Sequence, residues 1–251
     1  MSTPALVPYL LRLGDDRLVL GHRLSEWCGH GPILEEDIAI TNIALDLIGE
    51  AALLLKLAGE EEGQGRDEDA LAYFRDAVDY RNALMVELPK GDFGFTIVRQ
   101  FLFSAYSVLQ MEALQRSKLE ALGGIAAKAL KESRYHLRHS AQWVITLGDG
   151  TEESHDRAQR AVDELWRYTG ELFAADEVDR EMAAIGMGVD PSTLAEPWQA
   201  QVGEVVLRAG LTVPTHEYMQ QGGRVGRHTE HLGHMLAEMQ IVARSHPGAK
   251  W

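Results

Sequence analysis

Cysteine is nearly absent. Cys28 is the one thiol in 251 residues, which excludes an internal disulfide and a cysteine-built zinc site. Basic charge is also scarce: 24 Lys and Arg stand against 38 Asp and Glu, for a formal net charge of -14. That balance opposes non-specific nucleic-acid binding, which needs clustered cations to neutralise phosphates, and docking on anionic membranes. The first residues form no basic leader, and their apolar run is broken by Arg12 and Asp15. No segment is expected to reach the ~20 apolar residues of a bilayer span, so a cytoplasmic location is expected. No sustained alternation of apolar and polar residues predicts a sheet. Neither a Gly-x-Ser-x-Gly elbow nor a Gly-rich phosphate loop after a strand occurs.

What is present is a helical period. Ile38, Ile40, Ile43, Ala44, Leu47, Ile48, Ala51, Leu54 and Leu55 crowd onto a broad apolar face at spacings of three and four, behind Pro32 and an acidic first turn, Glu35 to Asp37. Further helices are predicted over 8–28, 69–88, 93–118, 124–147, 151–173, 176–185, 192–209 and 230–245. The tract 60–69 reads as a loop, and Val205 to Val213 as a segment that could turn irregular or short-stranded. Long helices with short connections argue for an all-α bundle. We expect a single domain over 1–251, with the C-terminal helix and tail, about 225–251, packed outside the main bundle.

A bundle can hold two irons with one Glu from each of two helices and Glu-x-x-His from each of the other two, because residues three apart point the same way. Glu132 stands four before His136, not three, and Ser133 occupies the position a ligand would need. Hydrogen bonding is the preferred reading of that pair. Glu152 and His155 have the spacing but lie at a polar helix start. His228, His231 and His234 form the richest histidine cluster, for which helix capping and interface contacts are preferred over metal. The core segment 93–111 contains no Asp or Glu. The turn 222–227 is glycine-rich and carries Arg224 and Arg227, which could contact an anion or an interface, as could His231; a flexible turn is preferred.

Five stretches together carry a resemblance: residues 11–39, 42–51, 128–140, 165–173 and 229–240. They resemble the C subunits of bacterial phenylacetyl-CoA epoxidases, the multicomponent ring-oxygenases of phenylacetate degradation. The resemblance implies a ferritin-like four-helix bundle with additional flanking helices. It also implies a homologous A subunit that carries the di-iron site, where one helix reads Asp-Glu-x-Gly-His and another Glu-Glu-x-Phe-His. Here the first motif places Leu47 at the ligand Glu and Glu50 at the His. The second places Ser133 at the ligand Glu and keeps His136. Arg17 falls at the first-helix Glu.

The resemblance therefore implies a non-catalytic structural subunit without a cofactor of its own. Di-iron would sit in the partner catalytic subunit, fed with NADPH electrons through a separate reductase, for epoxidation of phenylacetyl-CoA by the complex. Arg17 and Glu50, opposite in sign at two former ligand positions, are expected to pair, since an unpaired buried charge is costly. Two other readings stand beside this one. The first is a stand-alone metal-dependent oxidoreductase using Asp46, Glu50, Glu132 and His136. The second is an acyl-CoA-binding module using Arg224 and Arg227.

Overall fold

The computed structural model of the protein describes residues 3–215 and 218–249; residues 1, 2, 216, 217, 250 and 251 of the expected domain lie outside them. Four long helices form its centre: α1 (Leu6–Ser25), α2 (Leu34–Glu62), α5 (Phe93–Leu114) and α6 (Glu120–Gly148). Local chemistry sets the ends of α2 and α5. Asp92 caps α5 by accepting the Phe95 N–H at 2.8 Å. Asp37 in the first turn of α2 accepts the Gly31 N–H at 2.9 Å. Gly63 ends α2 in the left-handed region, at φ 68°.

The bundle is made of two tight pairs, α1 on α2 and α5 on α6. Glycine brings α1 close: a Cβ at Gly21 would lie 2.8 Å from Ile48 and one at Gly14 would lie 2.9 Å from Leu55. Glycine has no side chain to keep the axes apart. Leu10, Val19, Leu20, Ile43, Leu54, Phe101 and Leu102 fill the space between the four helices. Around them lie α7 (Glu152–Trp166) and α9 (Ala195–Arg208) on the α5–α6 side, and α8 (Glu177–Ala184) against α1. The last helix, α10 (Glu230–Ser245), packs on the short α3 (Glu68–Tyr73) and the 3-10 turn Ala77–Asp79. No strand occurs among the described residues, including 205–213, where α9 runs to Arg208 and coil follows. Helix α2 extends through Glu62, into the tract expected to be loop.

Two further expectations are corrected. The helix predicted over 69–88 is broken: after α3 the chain runs irregularly to the single turn α4 (Leu84–Glu87). Carboxylates from elsewhere take its backbone N–H groups. Asp15 accepts from Arg81 N at 2.8 Å, Asp16 from Ala83 N at 2.7 Å and Glu171 from Leu84 N at 2.7 Å, so the donors that would continue a helix are engaged outside it. Secondly, α2 has the length and mean hydropathy, 1.8 over 18 residues, to cross a membrane by composition. Here its inner face packs on α1 and buries Glu50.

Candidate functional site

Where α1, α2, α5 and α6 face one another, a polar chain replaces the hydrocarbon core. Arg17 on α1 is fully buried and donates from Nε to Glu50 Oε2 on α2 at 2.7 Å. Its other nitrogens donate to Leu13 O at 3.0 Å and to Ser107 Oγ and Gln110 Oε1 on α5, both at 3.3 Å. Ser107 Oγ lies 3.0 Å from Ser133 Oγ on α6, and Gln110 Nε2 donates to the Tyr106 hydroxyl at 2.7 Å. The expected pairing of Arg17 with Glu50 is present. Leu47 joins the apolar core beside it. The second carboxylate oxygen of Glu50, Oε1, and Glu132 Oε2 are buried without a hydrogen-bond partner.

Electrostatics at this centre follow from burial. Desolvation pushes Glu50 up to about 7 although Arg17 opposes the shift, and the carboxylates of Glu132 and Asp46 add to the rise. Burial lowers His136 below its ordinary value, so the ring is neutral, and its Nε2–H donates to Asp46 Oδ2 at 3.0 Å. His136 therefore turns to α2, not to Glu132 on its own helix. One turn further along α6, His139 Nε2 makes a 3.0 Å bond to Glu36 of α2. No group of three or more His, Cys, Asp or Glu side chains able to hold a metal ion occurs among the described residues.

The remaining candidates lie elsewhere. Arg224 does not present its charge to an outside anion. It grips Asp16 with two bonds of 2.8 Å and donates to Arg81 O at 2.9 Å. Burial disfavours its charged form, but Asp16, Tyr106 and Glu171 together outweigh burial and hold the guanidinium above its ordinary value. Arg227 is exposed. The half-buried His231 contributes a backbone carbonyl, which accepts from Arg23 at 2.8 Å. The three clustered histidines do not converge: His228 is engaged by Glu87 and Tyr80 O, while His234 faces solvent. His155 bonds the Gly148 carbonyl at the end of α6, at 2.8 Å.

The sequence reading missed a second polar region altogether, a seam of four buried carboxylates. Asp15 binds Arg75 at 3.0 Å besides the Arg81 N–H, and Asp16 binds Arg224 besides the Ala83 N–H. Glu171 accepts the N–H groups of Gly222 and Gly223 at 2.7 and 2.8 Å. Glu87 accepts from Thr229 N at 2.6 Å, His228 Nδ1 at 2.7 Å and Asn82 Nδ2 at 2.8 Å. Glycine is required at 223, where a Cβ would stand 2.0 Å from Asn82 O. The one available signal was the adjacent acidic pair inside the apolar period of α1.

The model of one family, described as phenylacetic acid catabolic protein, matches residues 1–251. The chain belongs to the phenylacetic acid catabolic protein family. Its all-α, ferritin-like fold is the one expected of that family. The C subunit of 1,2-phenylacetyl-CoA epoxidase from Escherichia coli (strain K12) is 49% identical to it over 246 residues, covering 98% of this chain and 99% of that one. Within this family fold the polar centre and the carboxylate seam lie on two sides of the same helix, α1.

Proposed function

We propose that this chain is the non-catalytic subunit of a phenylacetyl-CoA epoxidase, packing on and stabilising a homologous ferritin-like subunit that carries the di-iron centre. The observation that supports the reading is the Arg17–Glu50 pair between the four central helices. Two irons require a cage of carboxylates around their positive charge. Here a guanidinium occupies the middle of that space, Leu47 offers a hydrocarbon, and Ser133 offers a hydroxyl already engaged with Ser107. The residues present do not fit a di-iron group, and no step of oxygen chemistry is assigned to this chain. Oxygen insertion into the aromatic ring, with NADPH electrons arriving through a reductase, falls to the partner subunits of a cytoplasmic hetero-oligomer.

The competing readings have less support. For a stand-alone metal enzyme, Asp46 is occupied by His136, Glu50 by Arg17, and Glu132 lies 3.7 Å from Lys128. For an acyl-CoA module, Arg224 is held by Asp16. A cleft of about 630 Å³ beside α3 and α10 is lined by Asp67, Asp69, Tyr73 and Phe74, a poor setting for phosphates. The test is metal analysis of the chain expressed alone and incubated with ferrous iron. Less than about a tenth of an iron per chain is expected, on the ligand chemistry above; two irons per chain overturn the proposal. A matching assay of the catalytic partner should lose soluble yield and epoxide formation when this chain is omitted.

A further inference from the structure

We propose that the outward face of α2, together with the cationic edge of α6, is the surface on which a different helical subunit docks, one presenting an apolar helix edged with Asp and Glu. The inference rests on the reading of this chain as an epoxidase subunit and assigns the face through which it assembles. Leu34, Ile38, Leu45, Gly49 and Leu53 line up on the side of α2 turned away from the bundle, with the exposed Asn42 as the one polar member between Ile38 and Leu45. Leu34 is 72% exposed, Leu45 61% and Ile38 53%. The stripe runs about 28 Å along the helix at 1.5 Å per residue, close to the width of a standard interface burying ~800 Å² per partner. Gly49 sits mid-helix on this stripe, and a Cβ there would meet no atom within 4 Å. Nothing inside the chain calls for the loss of helix stability that glycine brings, whereas the bare backbone admits a close-packed helix from outside.

Charge decides the occupant. Beside the stripe, on α6, Lys131, Tyr135 and Arg138 are exposed, with Arg138 over the Tyr135 ring at 5.6 Å. Cations concentrated on one edge of a chain of net charge -14 suit an acidic counterpart. A second copy fits poorly. Two α2 faces related by a two-fold axis run either antiparallel or parallel. The antiparallel arrangement sets the α6 cations of both copies on the same side. The parallel arrangement brings together the two acidic helix starts, Glu35 to Asp37. An anionic bilayer is disfavoured by those same carboxylates and by the net charge.

The experiment measures affinity for the ligand-complete ferritin-like subunit by sedimentation and titration. It compares wild type with Leu45→Glu, Gly49→Gln, Arg138→Glu and, on α10, the control Ile241→Glu, a residue 59% exposed. Leu45→Glu is expected to weaken binding by about 100-fold and Arg138→Glu by about 10-fold with a flatter salt dependence, while Ile241→Glu stays within about 2-fold. Gly49→Gln should raise the chain's own melting temperature while reducing affinity about 10-fold, a combination that a purely internal role does not produce. The proposal is overturned if Leu45→Glu and Gly49→Gln bind as wild type does. It is equally overturned if wild type forms a homodimer that Leu45→Glu splits, or binds phosphatidylglycerol vesicles through Leu45. Absence of any affinity between wild type and that subunit would instead overturn the subunit reading itself.

Discussion

On one side of α1, Arg17 meets Glu50, Ser107 and Gln110; on the other, Asp15 and Asp16 hold the backbone of residues 81–83 together with Arg75 and Arg224. Both regions are buried and charged, yet they are satisfied to different degrees. The four seam carboxylates accept two or more bonds apiece, many from backbone N–H groups that have no other partner. In the centre, Glu50 Oε1 and Glu132 Oε2 remain without partners. Charge that replaces the hydrogen bonds of a helix is structural and hard to remove. Charge that meets mainly other side chains, as Arg17 does apart from its one bond to Leu13 O, can be exchanged for hydrocarbon.

That contrast can be broken most forcefully at the seam. Asp16→Ala leaves the largely buried Arg224 guanidinium with carbonyl partners but no counter-charge and the Ala83 N–H unpaired, and is expected to cost about 3–5 kcal/mol in urea unfolding. A cost below about 1 kcal/mol would erase the distinction between the two regions.

The centre should answer differently. Arg17→Met alone is expected to lose about 3 kcal/mol at pH 8, whereas Arg17→Met with Glu50→Leu should be neutral or gain roughly 1–4 kcal/mol, a coupling read from a double-mutant cycle. The sign with pH is fixed by Glu50. Its native value of about 7 lies above the ordinary 4.5, so between those values the folded state holds more protons than the unfolded one. Its contribution to stability is full below pH 4.5 and falls as pH rises through 7. The double variant should lack that decline.

The smallest effect sharpens the comparison within the seam. His228 donates from both ring nitrogens, to Glu87 and to Tyr80 O. Burial alone would lower its pKa, but the Glu87 carboxylate and the Tyr80 carbonyl outweigh burial and raise it. Its contribution is therefore full below the ordinary 6.5 and is lost as pH climbs through the raised native value. His228→Gln should cost about 1 kcal/mol at pH 6 and flatten stability above neutrality; an unchanged slope would remove the imidazolium from the account.

The bundle was legible because apolar spacing of three and four repeats for twenty residues or more along α1, α2, α5 and α6, and because Pro89 to Asp92 and Gly148 to Thr151 punctuate it; the end of α2 reads as Gly59, one turn before its true stop at Gly63. The Arg17–Glu50 pair was legible through the resemblance, which sets opposite signs at two former ligand positions. The break after Tyr73 was not, since residues 74–83 carry no strong breaker and what unwinds them comes from Asp15, Asp16 and Glu171, far off in the chain. Ser107 and Gln110 were visible as polar members of α5, but their aim at Arg17 depends on helix register. Arg224 was misread because a glycine-rich basic turn looks exposed; glycine is there so that the backbone can press against Asn82.

Asp16 and Arg224 lie 208 residues apart in sequence. At about 5–20 residues per second of synthesis, Asp16 is made some 10–40 s before its cation exists. The four central helices, complete by Gly148, are free to assemble in that interval. The link between Asp16 and the turn around residue 224 can close only afterwards, so a nascent or truncated chain ending before that turn holds an open clasp on its own first helix.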